Sequence, residues 1–189
     1  MPYYRDQVTQ KSWEFLQTLA RQYRFTLVGG WAVWLYTHQL KSKDIDMIVE
    51  FDVLEKLRTD YQLFKNDRLK KYEITQEEVQ VDIYVPHYSN LGIPAEDVLT
   101  RAQHIEGFSV PAIEDLLVLK YTAYSGRVGT AKGRKDLVDI VSLLQLPQLD
   151  QLKVPQKVFD LAFSQTDLPE LNMNVHQFSR LKKQWKKSA

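Results

Sequence analysis

Apolar residues near the start of the chain recur at three- and four-residue steps: Trp13, Leu16, Leu19, Ala20 and Tyr23. That period predicts a helix over about 8–23. The pattern then tightens into Arg24-Phe-Thr-Leu-Val28, a short strand stopped by Gly29-Gly30, and a second helix follows from Trp31 to about His38. Ile45-Asp-Met-Ile-Val49 alternates and reads as a strand; Val53 to about Phe64 reads as a helix. Residues 71–75 and 79–85 read as two more strands joined by an acidic turn at Gln76-Glu77-Glu78, and Pro86 ends the second. A short helix is predicted from Pro94 and a short strand pair within 103–110. Beyond Pro111 the periods are helical: Ala112–Tyr124, Arg134–Leu144, about Val154–Phe163 and about Val175–Trp185. Strands grouped in one half and helices in the other predict an α+β fold. The expected division is an α/β core over 1–110 and a helical region, packed on it, over 111–189.

Composition narrows the class. The 189 residues are 44% hydrophobic and 26% charged, as in an ordinary folded domain, and contain no cysteine. Disulfide frameworks and thiolate metal sites are therefore excluded. The four histidines (38, 87, 104, 176) lack zinc-ligand spacing, and no Gly-x-Ser-x-Gly element supports hydrolase chemistry of that kind. No apolar run approaches the roughly 20 residues that span a bilayer. The opening Met1–Asp6 lacks the basic-then-apolar run of a signal peptide. The expectation is a cytoplasmic protein without membrane partners. Basic and acidic side chains nearly balance, 25 against 24, so only local charge points to a polyanion. The one such stretch is Arg180-Leu-Lys-Lys-Gln-Trp-Lys-Lys187, which reads either as a solvated helix end or as a nucleic-acid contact.

The chemistry concentrates in Leu27–Val49. Asp44 and Asp46 stand two apart at the head of a strand, so both carboxylates face the same side. Ile45, Met47 and Val49 face the other. Adjacent carboxylates repel unless a cation sits between them or one is protonated. Magnesium wants such oxygen ligands. Asp82 is a third acid, placed mid-strand between apolar neighbours. If its strand lies beside the first, three carboxylates gather in one cluster, a set able to hold two metal ions for phosphoryl or nucleotidyl transfer, with Asp82 available as a base. Gly29-Gly30 lets backbone approach a ligand closely, and the helix that follows favours an anion at its first amides. Singly, each feature has a plain reading: a turn, a surface pair, an edge acid. Their order and spacing together point to a metal and phosphate site. Gly126–Gly133 is rich in glycine but lacks the Gly-Lys-Ser/Thr of a P-loop, and reads as an interhelical loop.

These residues resemble the signature of the nucleotidyltransferase superfamily, the polymerase-β-like fold. Its elements here are Val28-Gly29-Gly30, a spacer of about a dozen residues, Asp44-Ile-Asp46 and the later Asp82. A closer resemblance is to small AbiEii-type toxins and related prokaryotic nucleotidyltransferases. It is carried by Gly29-Gly-Trp-Ala-Val33, Lys43-Asp-Ile-Asp46, Asp115-Leu-Leu-Val-Leu-Lys120 and Lys135-Asp-Leu-Val-Asp139, and it extends to about residue 145. It implies a mixed sheet backed by helices, magnesium (two ions, with manganese as an alternative), and transfer of a nucleoside monophosphate from a nucleoside triphosphate to an acceptor hydroxyl. By the same resemblance, Gly29, Gly30, Lys43 and Lys120 would approach the triphosphate. Lys132, Arg134 or Lys135 would assist, and Asp136 would orient a neighbour. Toxin-like relatives favour an RNA 3′ end such as that of tRNA as acceptor and imply a cognate antitoxin. A small molecule of antibiotic type or a protein side chain is the alternative acceptor. A different class, an inactive nucleotide-binding or antitoxin module, would be expected to have lost one of the three acids, and all three stand here.

Overall fold

The computed structural model describes residues 2–165, 168–171, 173 and 175–188. The chain divides into two compact units, residues 1–112 and 113–189.

The first unit is built on one seven-stranded sheet. In chain order its strands are β1 (Thr26–Val28), β2 (Ile45–Ile48), β3 (Phe64–Asn66), β4 (Lys71–Gln76), β5 (Val79–Tyr84), β6 (Gln103–Ile105) and β7 (Phe108–Val110). Across the sheet they lie β3-β4-β5-β2-β1-β7-β6. Two pairings are parallel, β2 with β5 and β1 with β7. The rest are antiparallel. The helices of this unit are α1 (Pro2–Gln22), α2 (Gly29–Thr37), α3 (Phe51–Asp60) and α4 (Ala95–Thr100).

Alternation in the sequence becomes two faces of the sheet. Leu27, Ile45, Met47, Val81 and Ile83 have no exposed surface. Their neighbours Asp46, Gln80, Asp82 and Tyr84 are half-buried on the other side. Helix α2 is apolar around most of its circumference, and Gly30, Trp31, Ala32, Val33 and Leu35 are all buried. An all-round apolar helix belongs in a core, and α2 packs on β1 and β2. Trp13, Trp31 and Trp34 cluster with ring centroids 5.0–5.5 Å apart. The indole of Trp31 donates to Ser12 Oγ at 2.9 Å, which satisfies the one polar atom this ring takes into the core.

Three boundaries differ from the periodic reading. Helix α1 starts at Pro2 and not near residue 8. Phe64 does not end α3 but opens the edge strand β3, paired with β4. Thr130 starts α6 earlier than expected, by accepting a hydrogen bond from Gly133 N.

The second unit is helical: α5 (Ile113–Ser125), α6 (Ala131–Leu143), α7 (Gln156–Phe163) and α8 (Val175–Ser188), with two short 3-10 turns. Helices α5 and α6 pack on each other, and α7 packs on both. The mixed sheet backed by helices and followed by a helical region is the α+β arrangement read from the sequence. No helix among the described residues is long and apolar enough to cross a membrane.

Candidate functional site

Strand β1 delivers the diglycine beside the acids. Val28 is paired with Asp46 across the antiparallel β1–β2 ladder. Gly29 follows at φ +66°, in the left-handed region. A Cβ placed on it would lie 2.1 Å from Asp46 Oδ2 and 2.6 Å from its Cγ. The Asp46 carboxylate is thus seated against the Gly29 backbone, and only glycine fits both the conformation and the contact. Gly30 is buried in the first turn of α2.

Strand β5 supplies the second acid. It runs parallel to β2 with Asp46 directly beside Asp82. Neighbouring strands lie about 4.8 Å apart, so the two carboxylates stem from adjacent points on one face. Asp44 precedes β2 by one residue and is half-buried. Lys43, next to it, is exposed. The structure therefore brings Asp46 and Asp82 together on the sheet and leaves Asp44 at the entrance of β2. Among the described residues, no three His, Cys, Asp or Glu side chains form a group that could hold a metal ion.

Strand β4 adds residues that periodicity and motif spacing do not single out. Lys71 Nζ lies 2.6 Å from Asp82 Oδ2 and 3.1 Å from Glu73 Oε1. The Lys71 side chain is only 11% exposed. Gln80 Nε2 donates to Asp82 Oδ1 at 3.2 Å, and Asn66 Nδ2 donates to Glu73 Oε1 at 2.9 Å. Burial pushes the Lys71 ammonium down, but its hydrogen bond to Asp82, aided by Glu73, more than offsets this and holds its pKa above the ordinary lysine value. Burial also raises Glu73, and Asn66 and Lys71 outweigh it, so that carboxyl titrates below its usual range. The sequence carries part of the signal for this cluster, in the turn, while the register that joins its members belongs to the folded hairpin. The β4–β5 hairpin turns on Glu77-Glu78, with Gln76 opposite Val79. Counting outward from that turn sets Glu73 opposite Asp82. Lys71, two residues further along β4, then falls on the same face.

Lys120, Lys132 and Lys135 belong to the second unit. Lys120 is buried, its Nζ 3.2 Å from Asp136 Oδ1 and 2.6 Å from Asp139 Oδ2. The contact with Asp139 is an ion pair. Arg127 Nε donates to Asp136 Oδ2 at 2.6 Å. Lys120, Asp136 and Asp139 thus form an ion cluster between α5 and α6. Lys132 is exposed and Lys135 half-buried at the start of α6. Arg134 makes a bidentate pair with Glu170, at 2.7 and 2.9 Å. The loop over 126–133 is folded onto α6: a Cβ on Gly133 would lie 2.3 Å from the Arg127 carbonyl oxygen. In the basic tail, Lys182 donates to the Phe163 and Gln165 carbonyls. The side chains of Trp185, Lys186 and Lys187 lie outside the described residues.

A cleft of about 450 Å³ opens in the first unit between Arg24, Thr26, Glu50, His104 and Ser109. It lies at the start of β1 and the end of β2, and the aspartates do not line it. Its lining is polar, but it brings no paired carboxylates together as β2 and β5 do, so the in-register acids beside a glycine are the stronger candidate.

No family model and no curated protein matches the sequence. Solved structures do. A "putative nucleotidyltransferase from H. pylori" matches with a TM-score of 0.53 and 15% identity, over 96% of this chain and 96% of that one. JHP933 from Helicobacter pylori gives 0.49 and 15%, over 95% and 94%. An antigenic nucleotidyltransferase-like protein from Paracoccidioides brasiliensis gives 0.46 and 17%, over 90% and 94%. The first of these carries the assignment of fold: the chain has a nucleotidyltransferase-like fold.

Proposed function

We propose that the chain is a magnesium-dependent nucleotidyltransferase that moves a nucleoside monophosphate from a nucleoside triphosphate to an acceptor hydroxyl. One observation carries this reading above the others: Asp46 and Asp82 are in register on parallel strands, with the Gly29 backbone against Asp46. The donors suit the metal. Magnesium is commonly held by one or two carboxylates together with substrate phosphates and waters. Asp46 and Asp82 would hold it, with Asp44 adding charge at the entrance. The ion would neutralise triphosphate oxygens and favour departure of pyrophosphate.

The chain's own residues supply the rest. The close fit of the Gly29 backbone to Asp46 keeps that carboxylate at the turn into α2, where the first amides of the helix favour phosphate oxygens. Lys71 and Gln80 each donate to one oxygen of Asp82 and fix its orientation. Asp82 is the group to accept the proton of the attacking hydroxyl as the new oxygen–phosphorus bond forms and the bond to pyrophosphate breaks.

An RNA 3′ end, as in tRNA, is the acceptor placed first, with toxin-like action and a cognate antitoxin as its corollary. Its support is the likeness of Lys43-Asp-Ile-Asp46 and Lys135-Asp-Leu-Val-Asp139 to toxin-type motifs. The basic stretch after Arg180 adds little, since Lys182 is occupied with backbone carbonyls.

The test is transfer from the four α-labelled nucleoside triphosphates with magnesium, using total tRNA, small-molecule alcohols and buffer as acceptors. Label on RNA that disappears in Asp46→Asn, with folding unchanged by circular dichroism, is the expected result. A fully active Asp46→Asn protein would refute the metal assignment. Absence of any magnesium-dependent nucleotide binding would leave the inactive-module reading in its place.

A further inference from the structure

The cleft at the start of β1 and the end of β2 has no part in the chemistry above. We propose that it is a second binding site, which takes a free α-amino acid with a large apolar side chain. The inference stands apart from the metal reading, since neither Asp46 nor Asp82 lines the cleft. Its volume of about 450 Å³ lies in the range of small-molecule pockets, which combine an apolar wall with a few convergent polar groups.

Three observations carry it. First, strand register gathers the polar groups. Ile48, Thr26, Ser109 and His104 are successive partners across β2, β1, β7 and β6, so they share one face of the sheet. All four line the cleft. Glu50 lies two residues beyond Ile48, and Arg24 two residues before Thr26. The acid therefore enters from the β2 side, and Arg24, Ser109 and His104 from β1, β7 and β6. Second, the charges are uncommitted. Arg24, Glu50 and His104 are exposed, and among the described residues none of their side chains makes a hydrogen bond or an ion pair. Arg24 and Glu50 thus carry opposite charges into one cleft without pairing with each other. A ligand of one sign would meet repulsion from one of them, whereas a zwitterion satisfies both. A guanidinium takes a carboxylate through two parallel N–H donors, and a carboxylate accepts from an ammonium. The phosphates of a nucleotide suit the cleft less well, because its one guanidinium is balanced by Glu50. Third, the wall is aromatic and aliphatic, from Tyr23, Phe25 and Leu99. The Tyr23 hydroxyl donates to Asp60 Oδ2 at 2.5 Å, which fixes the ring and leaves it as apolar surface. Such a wall suits a large apolar side chain.

The measurement is isothermal titration calorimetry on the full chain with L-phenylalanine and two analogues: 3-phenylpropanoate, which lacks the ammonium, and 2-phenylethylamine, which lacks the carboxylate. L-Phenylalanine is expected to bind, and each analogue to bind about tenfold more weakly, the weight of one charge-assisted contact. Glu50→Gln is expected to weaken L-phenylalanine by a similar factor without weakening 3-phenylpropanoate. Arg24→Met is expected to weaken it likewise without weakening 2-phenylethylamine. Asp46→Asn is expected to bind L-phenylalanine as wild type does, so failure of the nucleotidyltransferase reading and failure of this one are separate results. No binding of L-phenylalanine would overturn the proposal, as would equal affinity for the amino acid and both analogues, or unchanged affinity in the folded Glu50→Gln and Arg24→Met proteins. Should either variant fail to fold, the comparison of the three ligands on wild type still decides.

Discussion

At the scale of single residues, position 29 is tightly constrained. Gly29→Ala would force a Cβ to within 2.1 Å of the Asp46 carboxylate, at a φ of +66°. Backbone strain of this kind costs about 1–3 kcal/mol before the clash is counted. The expected outcome is a lowered melting temperature together with loss of transfer activity, because relief of the clash requires Asp46 to move. A second residue-scale expectation concerns acid. The guanidinium of Arg134 holds the Glu170 carboxyl below its ordinary value of 4.5. A depressed folded pKa stabilises the protein above the ordinary value, and that contribution is lost as pH falls through the folded value. Glu170→Gln should therefore lower stability at neutral pH and flatten part of the acid limb of a stability–pH curve, the two proteins converging at low pH. The pair is partly exposed, so the effect should stay under about 1 kcal/mol. Asp44, Asp46 and the diglycine stand out in the sequence because their spacing is local, and Asp82 stands out only as an acid between apolar strand neighbours. Lys71 was not read, because its partner lies across a hairpin and charge in a strand carries no signal without register.

At the scale of elements, the ion cluster between α5 and α6 sets the second unit's sensitivity. Lys120 is 7% exposed, and Asp136 and Asp139 are each 2% exposed. Removing one partner from a buried pair costs about 3–5 kcal/mol, because the remaining charge is stranded. Lys120→Met should accordingly lower stability by an amount of that order in chemical denaturation. The paired change Lys120→Met with Asp139→Leu should recover part of it, since an apolar replacement strands less charge. Lysine and aspartate spacing within the two helices was visible in the sequence; the choice of partners was not. Periodicity located most helices and the strands β2, β4 and β5. It missed β3, a three-residue edge strand with its side chains largely exposed, because so short a run carries no alternation to read. It also placed the start of α6 too late, where the Thr130 cap and not the apolar stripe sets the boundary.

At the scale of the whole molecule, the sequence by itself determined the class of fold, an alternating α/β half followed by helices, and the local set Gly29-Gly30, Asp44 and Asp46. These depend on period and spacing, which are written along the chain. Only the tertiary structure decided that β5 crosses to lie parallel beside β2 and that β4 brings Lys71 onto Asp82. Strand order β3-β4-β5-β2-β1-β7-β6 is a solution to covering one apolar sheet face with helices, and many orders satisfy the same alternation. The charge balance of the site follows from that order. The acids announce a cation, while the ammonium that supplies part of it comes from a strand 25 residues further on from Asp46. Its place beside Asp82 is fixed by packing and hydrogen-bond register, quantities that exist only once the chain has folded.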